Sequence, residues 1–317
     1  MKLNKKWLFI IYLILNSAIG KTQVSYFSTN ALSKEKFEIF KKTTTLFTLQ
    51  YADYAELEKF DNAIKKSWKI TPYKIIRPEE LAAYDTLTNY SFFYFNAYNE
   101  KIEETSKANI VYVLKLITPS KIPKQREENV FAFTTLFADV YTNLRVAAQD
   151  EKFNTKKRLR GKILNVLYNN SSFLNWSPGL LAGYLKQIND GLLSTEGRSL
   201  DFQFYNKVRL PELAKDTLYV PEYVRQVFST QKTKTDSLQQ PYTYKLKFLS
   251  TEKLDSLILK KDSNIKYLIY TQRSTDKIIS IYDSKDNRII YQMFTNQYAD
   301  FEMNDLNTIK KIIKSIK

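Results

Sequence analysis

Residues 89–98 read NYSFFYFNAY, with six aromatic side chains in ten positions: Tyr90, Phe92, Phe93, Tyr94, Phe95 and Tyr98. Such a run is either a surface for stacking sugars or bases or the inside of a sheet, and the choice sets the fold. Side chains alternate along an extended chain, so Tyr90, Phe92, Tyr94 and Tyr98 share one face and Ser91, Phe93, Phe95 and Ala97 the other. Aromatics on both faces fit a strand buried between two layers. RNA-recognition sheets carry a basic residue and a glycine around their stacking aromatics, and this run has neither. A second stretch points the same way. NIKYLIYTQR at 264–273 has the same leading Asn, with Ile265, Tyr267 and Ile269 opposite Leu268 and Tyr270. Aliphatics in place of rings suit packing and not stacking. The expectation is a core strand. Should one face stay open, Tyr90, Tyr94 and Tyr98 are the candidate partner-contact residues, because their hydroxyls tolerate water.

Working outward from the two stretches gives a similar element order twice. In the first half TTTLFTL (43–49) reads as a strand, and Asp53 with Glu56 as a capping-box-like helix start. Leu57, Phe60, Ile64 and Trp68 follow at helical spacing. Then come YKIIR (73–77), a helix opened by Pro78 in PEELAAY (78–84), the aromatic run, IVYVLKLI (110–117) and NVFAFTTLF (129–137). In the second half TLYV (217–220) parallels TLFT, YKLKF (244–248) parallels YKIIR, and TEKLDSL (251–257) stands where PEELAAY stood. KIISIYD (277–283) and NRIIYQMF (287–294) then flank the turn residues Ser284, Lys285 and Asp286, a hairpin signal. The first helix of the second copy is the weakest match, since QKTKTDSLQQP reads as a loop.

Each copy ends in a basic helix, KKRLRGKILNVLY (156–168) and DLNTIKKIIKSIK (305–317). Between them NWSPGLLAGYLKQINDGLL (175–193) has Ser177 as N-cap and Pro178 as first helical residue. Its Leu181, Tyr184, Leu185, Ile188 and Leu192 form a broad apolar face. The expected fold class is α/β (α+β-like), with two similar β-α-β-α-β-hairpin modules joined by a helical connector. The expected division is a signal peptide at 1–20, a first module with its terminal helix at 38–170, the connector at 171–205, and a second module with a C-terminal helix at 206–317.

Composition excludes much chemistry. The chain has no His and no Cys, which removes the commonest general base, soft metal ligands, thiol nucleophiles and disulfides. Only 6 of the 317 residues are Gly, leaving little for phosphate-cradling loops, and neither GxGxxG nor GxxxxGK[ST] occurs. No cofactor and no catalytic residues are expected, although an oxygen-ligated calcium or magnesium site stays open to this composition. Residues 1–20 have the layout of a secretory signal peptide, with Lys2, Lys5 and Lys6 before the apolar Trp7–Leu15 and small Ala18 and Gly20 at the cleavage site. That apolar stretch is far short of the roughly 20 residues a membrane-spanning helix needs, and no later segment reaches that length. The protein is therefore expected to be exported, periplasmic or extracellular, and not membrane-spanning.

The order of elements resembles the small α/β domain at the N-terminus of the TolB family, and exported bacterial envelope proteins of unknown function that carry such domains in tandem. The resemblance covers roughly residues 43–137 and 216–294, without the β-propeller signature. It implies a periplasmic domain used for protein contacts, with no catalytic residues to carry over.

The formal charge is +16, and removal of the three signal lysines leaves +13. The charges are spread along the chain and read first as background composition. Their densest run, KKRLRGK (156–162), is either a site for phosphate or acidic glycan or the wet face of a helix whose apolar side is Ile163, Val166 and Leu167. Lys156, Lys157, Arg158 and Arg160 are its candidate contact residues. The carboxylate doublets Glu79–Glu80, Glu103–Glu104 and Glu127–Glu128 lack the facing geometry of glycoside hydrolysis. The expected function is a soluble, non-enzymatic envelope module protein contacting a protein partner. The alternative is a glycan-binding or glycan-active protein using Tyr, Trp and carboxylates. A nucleic-acid partner ranks third.

Overall fold

The computed structural model describes residues 23–26, 34–84, 87–101, 108–119, 128–149, 157–194, 197–198, 203–226, 243–273, 275–296 and 300–316. The signal-peptide segment, the QKTKTDSLQQP loop, Glu103, Glu104, Glu127 and Lys156 lie outside them. In chain order the first half runs β1 (Val24–Tyr26), α1 (Lys34–Lys41), β2 (Thr44–Thr48), α2 (Leu57–Ser67), β3 (Tyr73–Ile76), α3 (Leu81–Tyr84), β4 (Tyr90–Lys101), β5 (Ala108–Pro119) and β6 (Glu128–Leu136). Helices α4 (Val140–Ala147), α5 (Lys157–Asn169) and α6 (Pro178–Ser194) follow. The second half runs β7 (Phe204–Tyr205), β8 (Leu218–Pro221), α7 (Glu222–Gln226), β9 (Leu246–Leu249), α8 (Thr251–Leu259), β10 (Lys266–Arg273), β11 (Asp276–Asp283), β12 (Arg288–Thr295) and α9 (Met303–Ile316).

The two six-stranded sheets have the same strand order, β1-β6-β5-β4-β2-β3 and β7-β12-β11-β10-β8-β9. In each, the second strand runs parallel to the third and fourth, and the remaining pairs are antiparallel. The fold is thus the expected α/β pair of similar modules. Each sheet also recruits a short strand that composition did not announce: β1, upstream of residue 38, and the two-residue β7. The outermost strands β3 (YKII) and β9 (LKFL) each carry one exposed lysine, Lys74 and Lys247, a charge that discourages edge-to-edge pairing.

The sheets are stacked facing the same way. In the first, the face carrying Phe47, Phe93 and Phe95 packs against α2, α5 and α6. The equivalent face of the second, with Val220, Leu268 and Tyr270, packs against α7 and α9 on the far side of the molecule. Tyr267 and Ile269, on its other face beside α8, join the central core instead. This parity corrects one match made by letters. Aligning TLFT with TLYV equates Phe47 with Tyr219, yet Phe47 lies on the α2 side of its sheet and Tyr219 on the α8 side. A one-residue slip exchanges the faces of a strand, so Phe47 corresponds in face to Val220.

Helix α6 fills the space between the sheets. Leu181, Tyr184, Leu185, Ile188 and Leu192 are all fully buried. Pro178 starts the helix, and Ser177 Oγ accepts from Leu180 N at 3.4 Å. Its glycines permit close approach. A Cβ on Gly183 would lie 2.9 Å from the Tyr267 hydroxyl, and one on Gly191 would lie 2.1 Å from the Tyr26 ring. Polar side chains tie both sheets to this segment. Asn175 donates to Thr135 O (3.2 Å) and Thr271 Oγ1 (2.9 Å), Gln187 donates to the Tyr282 hydroxyl, and Lys69 N donates to Asn189 Oδ1 (2.7 Å).

The capping box forms one turn earlier than expected. Asp53 Oδ2 accepts from Gln50 N at 2.9 Å, closing a 3-10 turn over Tyr51–Glu56 before α2 begins at Leu57. At Pro78, Glu80 accepts from Arg77 N at 2.7 Å, so this half of the Glu79–Glu80 doublet caps a turn.

Candidate binding surfaces

Of the aromatic run, Phe92, Phe93, Tyr94 and Phe95 are all buried. The alternation holds, because Phe93 and Phe95 enter the central core while Phe92 and Tyr94 form a small cluster with Leu46, Ile76 and Ile117. Tyr94 is 6% exposed and its hydroxyl donates to Glu128 Oε1 at 3.1 Å, while Lys115 Nζ reaches Glu128 Oε2 at 2.5 Å. Tyr90 is half-buried, its ring edge-on to Tyr84 at 4.9 Å. Tyr98 is half-buried further along β4. Of the basic run, Lys157, Arg158 and Arg160 fall on the first turns of α5, with side chains outside the described set. The apolar side of that helix, Ile163, Val166 and Leu167, is buried.

Several ionisable groups are buried, each with a structural partner. Lys266 is 2% exposed and reaches Asp283 at 2.9 Å and Glu212 at 3.1 Å. Burial alone would depress its ammonium, but the bonds and charges of Asp283 and Glu212 outweigh that and hold it above its ordinary value. Lys277 reaches Asp305 at 2.8 Å, and burial raises the Asp305 carboxyl. Two further carboxyls flank the start of α6. Burial pushes Asp53 up to about 6 despite its bond from Trp176 Nε1 at 3.0 Å. Burial also pushes Asp255, bonded by Ser177 Oγ at 2.6 Å, up to about 7. Among the described residues no group of three acidic side chains is placed to hold a metal ion, and no helix is long and apolar enough to cross a membrane.

A cleft of about 540 Å³ opens at the C-terminal end of α6, where the edges of the two sheets meet. Tyr26 of β1 forms one wall, and its backbone exchanges hydrogen bonds with Arg198 (3.2 and 2.8 Å). Gln187, Asp190, Gly191, Leu193 and Ser194 come from α6. Phe204, Asn206, Arg209, Arg288 and Ile289 come from β7, the turn after it, and β12. Its volume lies within the range of ligand sites. Among the described lining residues three are cations, Arg198, Arg209 and Arg288, and one is an anion, Asp190. The Arg198 guanidinium stacks on the Tyr26 ring at 5.1 Å and donates to Gln187 Oε1 at 2.5 Å; burial lowers its pKa. Arg209 pairs with Asp286 at 2.8 Å and Asp283 at 3.5 Å, and the Asp286 bond holds its proton more tightly than usual. Arg288 meets Asp190 at 3.4 Å and Asp286 at 3.9 Å. No local sequence pattern announces this cluster, since its arginines are dispersed from 198 to 288.

A second surface was also missed. Helix α4 is N-capped by Asp139, whose Oδ1 accepts from Thr142 N at 2.7 Å. It buries Thr142 and Val146 while Val140 (70%), Tyr141 (69%) and Leu144 (61%) stand exposed. The Asp139 cap and the three-residue offset of Thr142 were the available signal. Comparison with protein-family models, with curated proteins and with solved structures finds no match.

Proposed function

We propose that this is an exported, soluble, non-enzymatic protein of the bacterial cell envelope whose two modules serve protein–protein contact. The observation that carries the reading is the exposed apolar face of α4. Val140, Tyr141 and Leu144 lie at helical spacing on one side of a short helix. Clustered exposed apolar side chains are a mark of interaction sites, whereas scattered ones are ordinary. The positively charged, apolar, small-residue order of residues 1–20 supports export. A glycan-active protein needs two carboxyls across a cleft, and the described lining of the cleft supplies Asp190 alone.

The test combines fractionation with site-specific photo-crosslinking. The mature chain should be recovered outside the cytoplasm with a mass lacking residues 1–20. A crosslinker replacing Tyr141 should capture one discrete envelope protein, and Leu144→Asp should abolish the capture. Cytoplasmic retention of the full-length chain, background capture only, or turnover of a substrate by the purified protein would each overturn the reading.

A further inference from the structure

We propose that the cleft at the end of α6 receives an acidic segment of a protein partner, an extended peptide in which carboxylate side chains alternate with apolar ones. The proposal rests on the protein-contact reading above and names the chemistry of what is contacted.

The charge comes first. Among the described residues of the lining three side chains are cationic and one, Asp190, is anionic, with the carboxylates of Asp283 and Asp286 standing behind Arg209. Arg209, in the turn after β7, and Arg288, the first residue of β12, lie at one end of this strand pair and share one carboxylate, Asp286, at the hairpin turn. Asp286 binds Arg209 through Oδ1 and Arg288 through Oδ2, which brings the two guanidinium groups together. Both contacts of Arg288, to Asp190 and to Asp286, run through Nε. Its two terminal nitrogens have no carboxylate partner among the described residues, and its side chain is 60% exposed. An arginine presented in this way offers a two-pronged donor to an incoming carboxylate. The neighbouring backbone is held as well, since Asn206 Oδ1 accepts from Val208 N and Arg209 N, both at 3.0 Å.

The rim supplies the second half of the chemistry. Leu193 (54%) is an exposed apolar residue of the lining, and Val208 (79%) is exposed in the turn that carries the lining residues Asn206 and Arg209. A purely ionic ligand such as phosphate would leave them in water. An acidic polysaccharide would match the charge but offers them hydroxyl-rich faces. A peptide alternating Glu with Leu or Val matches both the cations and the rim.

The probe is a labelled eight-residue peptide of alternating Glu and Leu, titrated into the mature protein. Its Gln-for-Glu counterpart, an oligogalacturonate and inorganic phosphate serve as the other arms. The acidic peptide should bind with an affinity that falls as salt rises. The Gln peptide should bind at least about tenfold more weakly, and Arg288→Glu should cost at least about tenfold, the loss expected for one charge-assisted pair. Val208→Asp should weaken binding also, through the rim. Near-ultraviolet circular dichroism establishes that the variants are folded, and Arg288→Gln is the milder substitute. Equal binding of the Gln peptide, or binding unchanged by Arg288→Glu and Arg288→Gln, would overturn the proposal. Arginine-dependent binding of the oligogalacturonate without the peptide would overturn it in favour of an acidic glycan, and binding of phosphate alone in favour of a small-anion site. Failure here leaves the crosslinking at Tyr141 intact. Loss of that crosslinking with peptide binding retained would instead place the contact at the cleft and remove α4 from it.

Discussion

Raising the pH from 5 to 8 should loosen the seam between the connector and the second module, and Asp255 is the group responsible. Its carboxyl is 8% exposed, accepts from Ser177 Oγ at 2.6 Å, and lies where a Cβ on Gly179 would come within 2.5 Å of it. Burial raises it from 3.8 to about 7, opposed by the Ser177 and Gly179 hydrogen bonds; Glu56 adds to the rise and Lys59 reduces it. The folded state therefore holds a proton that the unfolded chain releases. The stabilisation is full below pH 3.8 and is lost as pH rises through 7. Between pH 5 and pH 8 the loss from this one group is about 2.5 kcal/mol, at 1.36 kcal/mol per pKa unit. Asparagine keeps an oxygen to accept from Ser177 and carries no charge. In urea titrations at both pH values, Asp255→Asn, which stands in for the protonated acid, should exceed the wild type by a margin that grows by about 2.5 kcal/mol between pH 5 and pH 8. An identical pH slope in the two proteins would refute the reasoning, because it would mean that Asp255 is ionised and solvated in the folded state.

Gly183→Ala should destabilise by about 1–3 kcal/mol in urea unfolding, because its Cβ must displace the Tyr267 hydroxyl and the Tyr282 ring; unchanged stability would mean that α6 stands off the second sheet. Phe95→Ala should cost about 3–5 kcal/mol, since the ring stacks on Phe173 at 5.5 Å and meets Trp176 edge-on at 5.0 Å. Lys266→Ala should cost about 3–5 kcal/mol by leaving Asp283, whose side chain is 3% exposed, without its ammonium. Its midpoint should recover in part when Asp283→Asn is added.

What could be read from the letters was what local chemistry dictates. The β-branched and aromatic strands, the Ser177–Pro178 helix start and the apolar stripe of Leu306, Ile309, Ile313 and Ile316 in the C-terminal helix all carry their signal within a few residues. Strands β1 and β7 escaped because three and two residues are too few to show a period. Their place is fixed by the strands they pair with. The one-residue slip between TLFT and TLYV arose because similar letters say nothing of parity, which the packing of α2 and α7 imposes. Asp53 was marked as a capping residue, but its partner Gln50 lies behind it and not ahead. The cleft was invisible for a different reason. Arg198, Arg209 and Arg288 meet only because β7 and β12 share a sheet edge and α6 ends beside it.

The claim that α6 joins the two sheets has a direct test in a single NOE spectrum of the whole protein. Gly191 Hα should show contacts to the Tyr26 ring of the first sheet, and Gly183 Hα should show contacts to the Tyr282 ring of the second. Both sets in one sample, with slowly exchanging amides along 178–194, is the predicted result. The absence of either set, with rapid exchange along that helix, would contradict the account.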